Sequence, residues 1–395
     1  MMPVEARFAG HRALLFAGIL AFVLKFALAI STGGTNDVRT WEHDLVALRT
    51  TGFVELYRSG VQYPSPAGPL WPRQVFIHPP AVLHGLQVLG ALQDVTGWPL
   101  RFWLRASCAL ADAGTLVLLW RMFGSRVPVL VALAPISVLI SGFHGNTDPI
   151  MMFFVVAAVF FTEREDATRA GIAFGVACSV KLIPLMFAPA ILLCLPEVHA
   201  RLKWMVASAA VWIALSLPYI ALEPILILKS MLGYGSSTGL WGFSLISTVL
   251  GAGRFYDPAA KWIALLAASC LPLMIKRRLF TRCGLVAFSF LFLSPGFGLQ
   301  YLAWTVPWTV QLPRRPMLVY HIIAAGFALS SYAVASQNSD AGLYADMLNP
   351  VNFLERALVG IVCWMTIAVI TYREIIWEIR NPPLPARLGD PGSIV

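Results

Sequence analysis

The sequence predicts an all-α, polytopic membrane protein. Of its 395 residues, 58% are hydrophobic and only 12% are charged, whereas a soluble domain carries about a quarter charged residues. The mean hydropathy is +0.72, and roughly a dozen apolar segments alternate with polar loops. Several of these segments are shorter than the roughly 20 residues of a full membrane span. Because a spanning backbone must satisfy its own hydrogen bonds, these segments are predicted to be helices.

The apolar segments predict about 11–13 transmembrane helices in one transmembrane domain over residues 1–395. The candidate spans are 12–31, 102–121, 127–142, 148–162, 168–182, 183–196, 204–222, 259–275, 283–297, 299–312, 317–336 and 353–372. The junction at Pro184 predicts either two half-helices or one kinked helix. The first segment is predicted to be a retained span rather than a cleaved signal peptide.

Basic residues indicate the orientation. More than half of the 29 Lys and Arg residues fall in short loops on one side, which predicts that this side and both termini are cytoplasmic. The net charge of +9 is therefore attributed to the membrane and not to nucleic acid. The opposite side has the first extracytoplasmic loop, 32–101, the second large one, 223–258, and a third loop, 337–352.

The first of these loops is too long to be a simple connector. Apolar residues between Thr40 and Gly60 recur at helical spacing and predict an interfacial helix. The apolar stretch 81–92 is too short to span a bilayer.

Chemistry-capable side chains gather on the extracytoplasmic side. A transporter would place such groups at mid-membrane, whereas an enzyme working at one face would collect them there. The candidate catalytic residue is Asp37. The candidate substrate-binding residues are Glu42, Asp44, His78, His144, Asn146, Asp148, Lys181, Tyr234, Arg254, Tyr256, Gln300 and Tyr301.

Asp37 follows the first span directly, so its carboxylate is expected at the membrane boundary. Partial desolvation there raises the pKa of a carboxyl group and makes it a better general base. The alternative is an ordinary acidic residue that caps the next helix. Glu42 and Asp44 remain alternative bases.

The turn from Gly142 to Pro149 joins two predicted spans. Backbone geometry alone accounts for much of it, with Asp148 as N-cap and Pro149 in the first helical turn. That account does not explain His144, so a functional role and a structural role both stay open.

Lys181 lies in an apolar stretch, where a charged residue is costly and is a functional candidate by default. A phosphate on a lipid is its natural partner, and snorkelling to the interface is the alternative. Lys25 is a weaker candidate of the same kind. The Gly-rich loop around Tyr234 presents aromatic side chains that can stack on sugars.

Several motifs together resemble a known family. They are the acid after the first span, the long first loop, the Gly-Asn-x-Asp turn, the Lys-Leu-x-Pro element and the late Ser-Pro and Gln-Tyr-Leu-x-Trp stretches. In this order they resemble the GT-C-type membrane glycosyltransferases, in particular the group (glycosyltransferase family 87) that includes bacterial mannosyltransferases and uses polyprenol-phosphate sugars. The resemblance covers roughly residues 12–312, and it implies a helical GT-C-like fold.

The resemblance also implies roles. Asp37 matches the first-loop acid that acts as general base, Asn146 and Asp148 match the turn, and Lys181 matches the element associated with the donor phosphate. The family often has a Tyr shortly after its first-loop acid, and this chain has Trp41 and Glu42 instead. That departure leaves the acceptor and the exact base open.

The predicted function is therefore transfer of a hexose, with mannose favoured, from a polyprenyl-monophosphate sugar to a hydroxyl of a lipid-linked or glycan acceptor. The expected place is the extracytoplasmic face of a bacterial inner membrane. No cofactor and no metal are expected, because nucleotide-binding and metal-binding motifs are absent from the sequence. The alternatives are a lipid or sugar transporter or flippase, and another membrane transferase such as an O-antigen-ligase-like enzyme.

Overall fold

A computed structural model describes residues 4–61, 75–124, 127–233, 237–238, 241–275, 277–337 and 350–380. Helices α1 to α17 are, in chain order, Val4–Ser31, Asn36–Thr50, Gly52–Arg58, Ala81–Thr96, Leu100–Phe123, Val129–Ala132, Pro135–Leu139, Asp148–Thr162, Ala167–Val180, Ala188–Cys194, Val198–Ile220, Pro224–Gly233, Gly242–Val249, Gly253–Cys270, Leu279–Leu293, Arg314–Gln337 and Pro350–Arg380. A π-helix covers Ile140–His144, and 3-10 helices cover Ile183–Phe187, Leu271–Met274, Leu299–Trp304 and Val306–Gln311.

The strands are minor. β1 (Ser237–Thr238) pairs antiparallel with β2 (Gly296–Phe297), with Ser237 opposite Phe297 and Thr238 opposite Gly296. The all-α fold class predicted from the sequence is therefore confirmed.

Three helices in the described part of the chain are long and apolar enough to cross a membrane: Gly10–Ser31 within α1, α5 and α11. Eight shorter apolar helical segments of 10–17 residues accompany them. In α11 only 17% of the most apolar window is buried, and residues such as Val206 and Ile213 point outward. Outward apolar side chains over a whole helix are what lipid contact requires. The chain is an integral membrane protein.

Two predicted spans are wrong as continuous α-helices. The segment 127–142 is divided into α6, α7 and the π-helix, because Pro135 forces Ala134 out of the helical conformation to φ −51° and ψ 116°. The segment 299–312 consists of two 3-10 helices, the second with Pro307 in its first turn. Broken helices of this kind bring irregular backbone into the protein interior, where other elements cover it.

The segments 168–182 and 183–196 form two half-helices. Of the two alternatives predicted for the junction at Pro184, the kinked continuous helix is therefore wrong. Helix α9 ends at Val180, and Lys181 has an extended backbone with φ −150° and ψ 152°. The chain then enters the 3-10 helix Ile183–Phe187 with Pro184 in its first turn. The extended residue lets the Lys181 side chain leave the helix axis.

Helix α9 packs closely against α11. A Cβ atom at Gly171 or Gly175 would lie 2.5 Å from the carbonyl oxygen of Trp204 or Ser208, respectively. The Gly-x-x-x-Gly spacing thus lets two backbones touch, as in other membrane helix pairs.

The helices that follow α1 form a separate small core. The prediction of helix between Thr40 and Gly60 is confirmed, although the helix divides into α2 and α3 at Thr51. The inner face of α2 carries Trp41, Asp44, Leu45 and Leu48. It packs on α3 and on α4, which in turn contact Tyr219 of α11 through Phe53 and His84. Helix α4 contains the predicted apolar stretch 81–92. With 16 residues it is too short to span a bilayer, as predicted.

Candidate active site

The turn between the π-helix and α8 brings the predicted residues together. Gly145 has a φ of +76°, a conformation that favours glycine, and a Cβ at this position would overlap the Val38 side chain of α2. The turn therefore lies directly against the start of α2. This contact places His144 and Asn146 beside Asp37.

Asp37 is held through one of its two oxygens. Its Oδ2 lies 3.1 Å from His144 Nε2 and accepts a 2.5 Å hydrogen bond from Asn146 Nδ2. The Asp37 side chain is 37% exposed. Within the described residues Oδ1 has no hydrogen bond, so this oxygen is left for a ligand.

Asn146 connects two charged groups. Its Oδ1 accepts hydrogen bonds from Lys181 Nζ at 3.1 Å and from the backbone N–H of Thr147 at 2.7 Å. Since the carboxylate of Asp37 only accepts and the ammonium of Lys181 only donates, a single amide orientation satisfies both. Asn146 thereby sets the relative position of Asp37 and Lys181.

Lys181 also contacts the fully buried Asp148. The Lys181 Nζ lies 2.7 Å from Asp148 Oδ2, and the other oxygen of Asp148 accepts a 2.6 Å hydrogen bond from Trp304 Nε1. The N-cap predicted at Asp148 is wrong, because α8 begins at Asp148 and Thr147 precedes it. The carboxylate is used for the ion pair and not for capping.

His78 borders the same site from the segment before α4. Its ring packs at a tilt of 32° against Trp41 with a centroid distance of 4.7 Å, and its carbonyl accepts a 2.6 Å hydrogen bond from Tyr57 Oη. Burial, reinforced by the charge of Lys181 and opposed by Asp37, lowers the pKa of His78 to about 3. His78 is therefore a neutral imidazole beside two charged groups.

The electrostatics around Asp37 oppose one another. Burial favours its neutral form and raises the pKa, whereas His144, Asn146 and Lys181 favour the carboxylate. The stabilisation of the carboxylate by these three residues is stronger, and the pKa of Asp37 falls from 3.8 to about 2. The raised pKa expected from the sequence is therefore wrong, because His144, Asn146 and Lys181 outweigh desolvation. Asp37 is ionised at neutral pH.

Glu42 and Asp44 lie outside this cluster. Glu42 is 3.7 Å from Arg101 Nη1, in a partly exposed ion pair. Asp44 is only 4% exposed, burial raises its pKa to about 7, and no described side chain pairs with it. Neither contacts Asp37, His144 or Lys181.

The remaining predicted residues are spread along the chain. Tyr301 stacks on Trp304 at 4.2 Å and so borders the Asp148 pair, while the Gln300 side chain folds over Gly298. Arg254 and Tyr256 lie on α14, but their side chains fall outside the part that the structure describes, as does the whole of Tyr234.

Lys25 belongs to a second buried polar cluster. Its Nζ lies 2.6 Å from Asp112 Oδ2 and donates a 2.7 Å hydrogen bond to Ser137 Oγ. Ser141 Oγ of the π-helix donates to the same Asp112 oxygen at 2.5 Å. Only 4% of Lys25 is exposed, so this cluster holds the π-helix and Lys25 is not available to a phosphate.

Sequence reasoning missed Arg105 and Tyr332, and it gave no separate role to Trp304 of the Gln-Tyr-Leu-x-Trp stretch. Arg105 is fully buried and donates to the carbonyl oxygens of Ala29 and Thr32 at 2.9 and 2.8 Å, which caps the end of α1. A charged residue in an apolar span is a signal that would have found Arg105 and Asp112. Tyr332 carries no such signal, because aromatic residues near span ends are common.

No group of three or more His, Cys, Asp or Glu side chains is arranged to hold a metal ion within the described ranges.

Ionisable side chains from the π-helix turn, from the break after α9 and from α2 converge in a membrane protein. The fold and this site define a membrane enzyme. The chain belongs to glycosyltransferase family 87, because the sequence model of that family matches residues 76–299, more than half of the 395 residues. It is a glycosyltransferase, and the resemblance found in the sequence is confirmed. The match includes His78, His144, Asn146, Asp148 and Lys181.

The chain is also similar to a solved structure, the crystal structure of ArnT from Cupriavidus metallidurans bound to undecaprenyl phosphate. The two share 13% identity at a TM-score of 0.48, and the alignment covers 92% of this chain and 77% of that one. No curated protein sequence matches the chain significantly.

Proposed function

We propose that this glycosyltransferase moves a hexose, with mannose the favoured sugar, from a polyprenyl-monophosphate donor to a hydroxyl group of a lipid-linked or glycan acceptor. The observation that carries the proposal is the pairing of a half-exposed carboxylate, Asp37, with a lysine, Lys181, through one shared amide, Asn146.

Asp37 is proposed as the general base. A sugar hydroxyl is a poor nucleophile at neutral pH, so a positioned carboxylate must accept its proton as the new bond forms. The free oxygen Oδ1 suits this role, since Oδ2 is already occupied by His144 and Asn146. The low pKa of Asp37 keeps the carboxylate ionised and ready to accept.

Lys181 is proposed to contact the donor phosphate. Its ammonium has three N–H donors, of which Asp148 and Asn146 use two. The third is left for a phosphate oxygen, whose negative charge grows as the bond to the sugar breaks. His78, a neutral ring on the same border, can donate to or accept from a sugar hydroxyl.

The proposed place of the reaction is the extracytoplasmic face, with 32–101 and 223–258 as extracytoplasmic loops and the bacterial inner membrane as location. The support is the distribution of Lys and Arg, which leaves the basic loops on the other side.

The test is an in vitro transfer assay with the purified full-length protein in liposomes and a panel of polyprenyl-phosphate sugars. Polyprenyl-phosphate mannose is expected to give product and Asp37→Asn to give none. Asp94→Asn is the matched control, because Asp94 lies in an exposed ion pair with Arg49. Translocation of the donor without any glycosylated product would contradict the proposal and favour a flippase. Transfer from another sugar on the same lipid would overturn only the choice of mannose.

A further inference from the structure

A third side chain stands behind His144 and Asp37. The hydroxyl of Tyr332, on α16, lies 2.9 Å from His144 Nδ1. Both side chains are nearly buried, with 7% of Tyr332 and 6% of His144 exposed. The three groups form a line from α16 through the π-helix to α2, and only its Asp37 end is open to a ligand.

From this line we propose that His144 and Tyr332 are positioning residues for the glycosyl transfer: Tyr332 orients the His144 ring so that its Nε2–H points at Asp37 Oδ2, which leaves Oδ1 ionised and directed at the acceptor hydroxyl. The inference rests on the proposed role of Asp37 as base. His144 then acts through Asp37 and not by binding the substrate.

The hydrogen-bonding capacity of each group supports this arrangement. The ionised carboxylate only accepts, so the hydrogen between it and His144 belongs to Nε2. In the neutral ring Nδ1 then accepts the O–H of Tyr332, and in the imidazolium Nδ1–H donates to the tyrosine oxygen. Tyr332 fits both states, because a phenol both donates and accepts. Without the Tyr332 hydroxyl, the His144 ring can adopt the other tautomer, in which the lone pair of Nε2 faces the carboxylate of Asp37.

The transfer step balances with these groups. The acceptor O–H bond breaks and its oxygen bonds to the anomeric carbon of the sugar. The bond from that carbon to the phosphate oxygen breaks, and its electron pair leaves on the phosphate. The proton goes to Asp37 Oδ1 and from there to water at the exposed edge of the residue.

Several elements around Asp37 contribute groups to its electrostatics. Helix α5 also packs on α2, but its Arg101 pairs with Glu42 and its Arg105 caps the end of α1. The π-helix contributes His144, the following turn Asn146, the break after α9 Lys181, and the segment before α4 His78. Helix α16 contributes Tyr332 behind His144. Burial alone raises the pKa of Asp37, and His144 is the strongest opposing group. Removing His144 should therefore bring the pKa of Asp37 upward.

The test compares the kinetics of His144→Gln and Tyr332→Phe with wild type from about pH 3 to about pH 9, a range that begins just above the pKa of about 2 that Asp37 has in the wild-type protein. Glutamine keeps a hydrogen-bond donor but carries no charge. His84→Gln and Tyr320→Phe are the matched controls. His84 contacts Tyr219 on α11, and Tyr320 is a buried tyrosine of α16 whose hydroxyl contacts Thr305.

In His144→Gln we expect kcat to fall roughly 100-fold, because Asp37 is still present but its free oxygen is no longer aligned with the acceptor hydroxyl. The acid limb of its kcat/KM profile should move upward by about one pH unit or more and so enter the measured range, whereas the wild-type limb lies below that range. In Tyr332→Phe we expect kcat to fall by roughly tenfold, as for one lost hydrogen bond, with donor and acceptor KM unchanged. Both controls should retain the wild-type profile.

Two other results have distinct meanings. Raised KM values with an unshifted profile in His144→Gln would overturn the inference and return His144 to substrate binding. Full activity in Asp37→Asn would instead contradict the proposed base, whatever the two variants do. A melting temperature near wild type in Tyr332→Phe would show that this variant is folded. His144→Gln provides an independent test, because it removes the residue that lies between Tyr332 and Asp37.

Discussion

Lys181 Nζ lies 2.7 Å from Asp148 Oδ2 in the interior of the protein, with Asp148 fully buried and only 14% of Lys181 exposed. Such a pair adds little to stability compared with apolar residues of the same volume, but removing one partner costs about 3–5 kcal/mol because the other charge is left unpaired. Asn146 links this pair to Asp37. The position of the pair beside the proposed base agrees with the proposed role of Lys181 in donor binding.

Replacing Lys181 by Ala should weaken use of the donor more than use of the acceptor. A charge-assisted contact with a phosphate contributes on the order of 1.5–3 kcal/mol, which corresponds to roughly 10- to 100-fold. The donor KM rises if the contact already forms in the ground state, and kcat falls if it strengthens as the bond breaks. Lys181→Arg should retain part of the effect. Steady-state kinetics with donor and acceptor varied separately measure it.

The double variant Lys181→Ala, Asp148→Asn separates folding from phosphate binding. It removes both charges, so the melting temperature should recover toward wild type while donor use stays impaired. Lys203→Ala, an exposed lysine at the start of α11, is the control. Recovery of normal donor kinetics in the double variant would show that Lys181 serves only to neutralise Asp148.

The stability of the protein should fall as pH rises from about 4 toward about 7, and Asp44 should cause part of that fall. Burial raises its pKa from 3.8 to about 7, so the folded protein holds a proton in this window that the unfolded chain has lost. The stability that the protonated Asp44 contributes is fully present below 3.8, the pKa of Asp44 in the unfolded chain. It is lost as pH rises through about 7, the pKa of Asp44 in the folded protein. One such proton gives a slope of at most about 1.4 kcal/mol per pH unit.

Melting temperatures of wild type and Asp44→Asn across that range check this prediction. The variant should show a flatter dependence, since asparagine has no proton to lose. Asp94→Asn, at an exposed aspartate, should behave like wild type. Parallel curves for wild type and Asp44→Asn would mean that Asp44 is ionised and paired in the folded protein.

Substituting Ala for Gly175 should destabilise the contact between α9 and α11. The added Cβ would meet the Ser208 carbonyl oxygen at 2.5 Å, and overpacking of this kind costs about 1–3 kcal/mol. Gly326→Ala is the matched control, because nothing lies within 4 Å of a Cβ there. Thermal unfolding in detergent compares the two. An unchanged melting temperature in Gly175→Ala would show that the two helices can move apart freely.

The proposed orientation can be tested by labelling single cysteines with a membrane-impermeant reagent. Glu165→Cys lies in the exposed turn between α8 and α9, and Gln87→Cys on the exposed side of α4. Of the six native cysteines only Cys194 and Cys270 are not buried. Replacing these two residues therefore gives a protein whose native cysteines should not react with the reagent. Intact cells should label position 87 and not position 165. The reverse pattern would invert the topology and the face on which the reaction is proposed.

The predicted site residues that the structure brings together share one property: each is unusual in its local sequence. Lys181 is a charge in an apolar stretch, and Asp37, Asn146 and Asp148 stand where apolar segments end. The break at Pro184 is equally local, because proline cannot continue the hydrogen bonding of a helix. Asp44 and Glu42 could not be separated from Asp37 in this way, since all three acids lie within one short polar segment.

The class of protein follows from the amino-acid sequence, because apolar run length and charge distribution are set along the chain and need no knowledge of distant contacts. The contacts of Asp37 with His144 and Asn146, more than 100 positions away, arise only when the chain folds. The same holds for the ion pair of Lys25 with Asp112, which leaves Lys25 unavailable to a ligand. Only the folded chain places Tyr332 against His144. These pairings depend on how broken helices cross, and a tyrosine at the end of a span has the same local appearance whether it faces lipid or supports an active site.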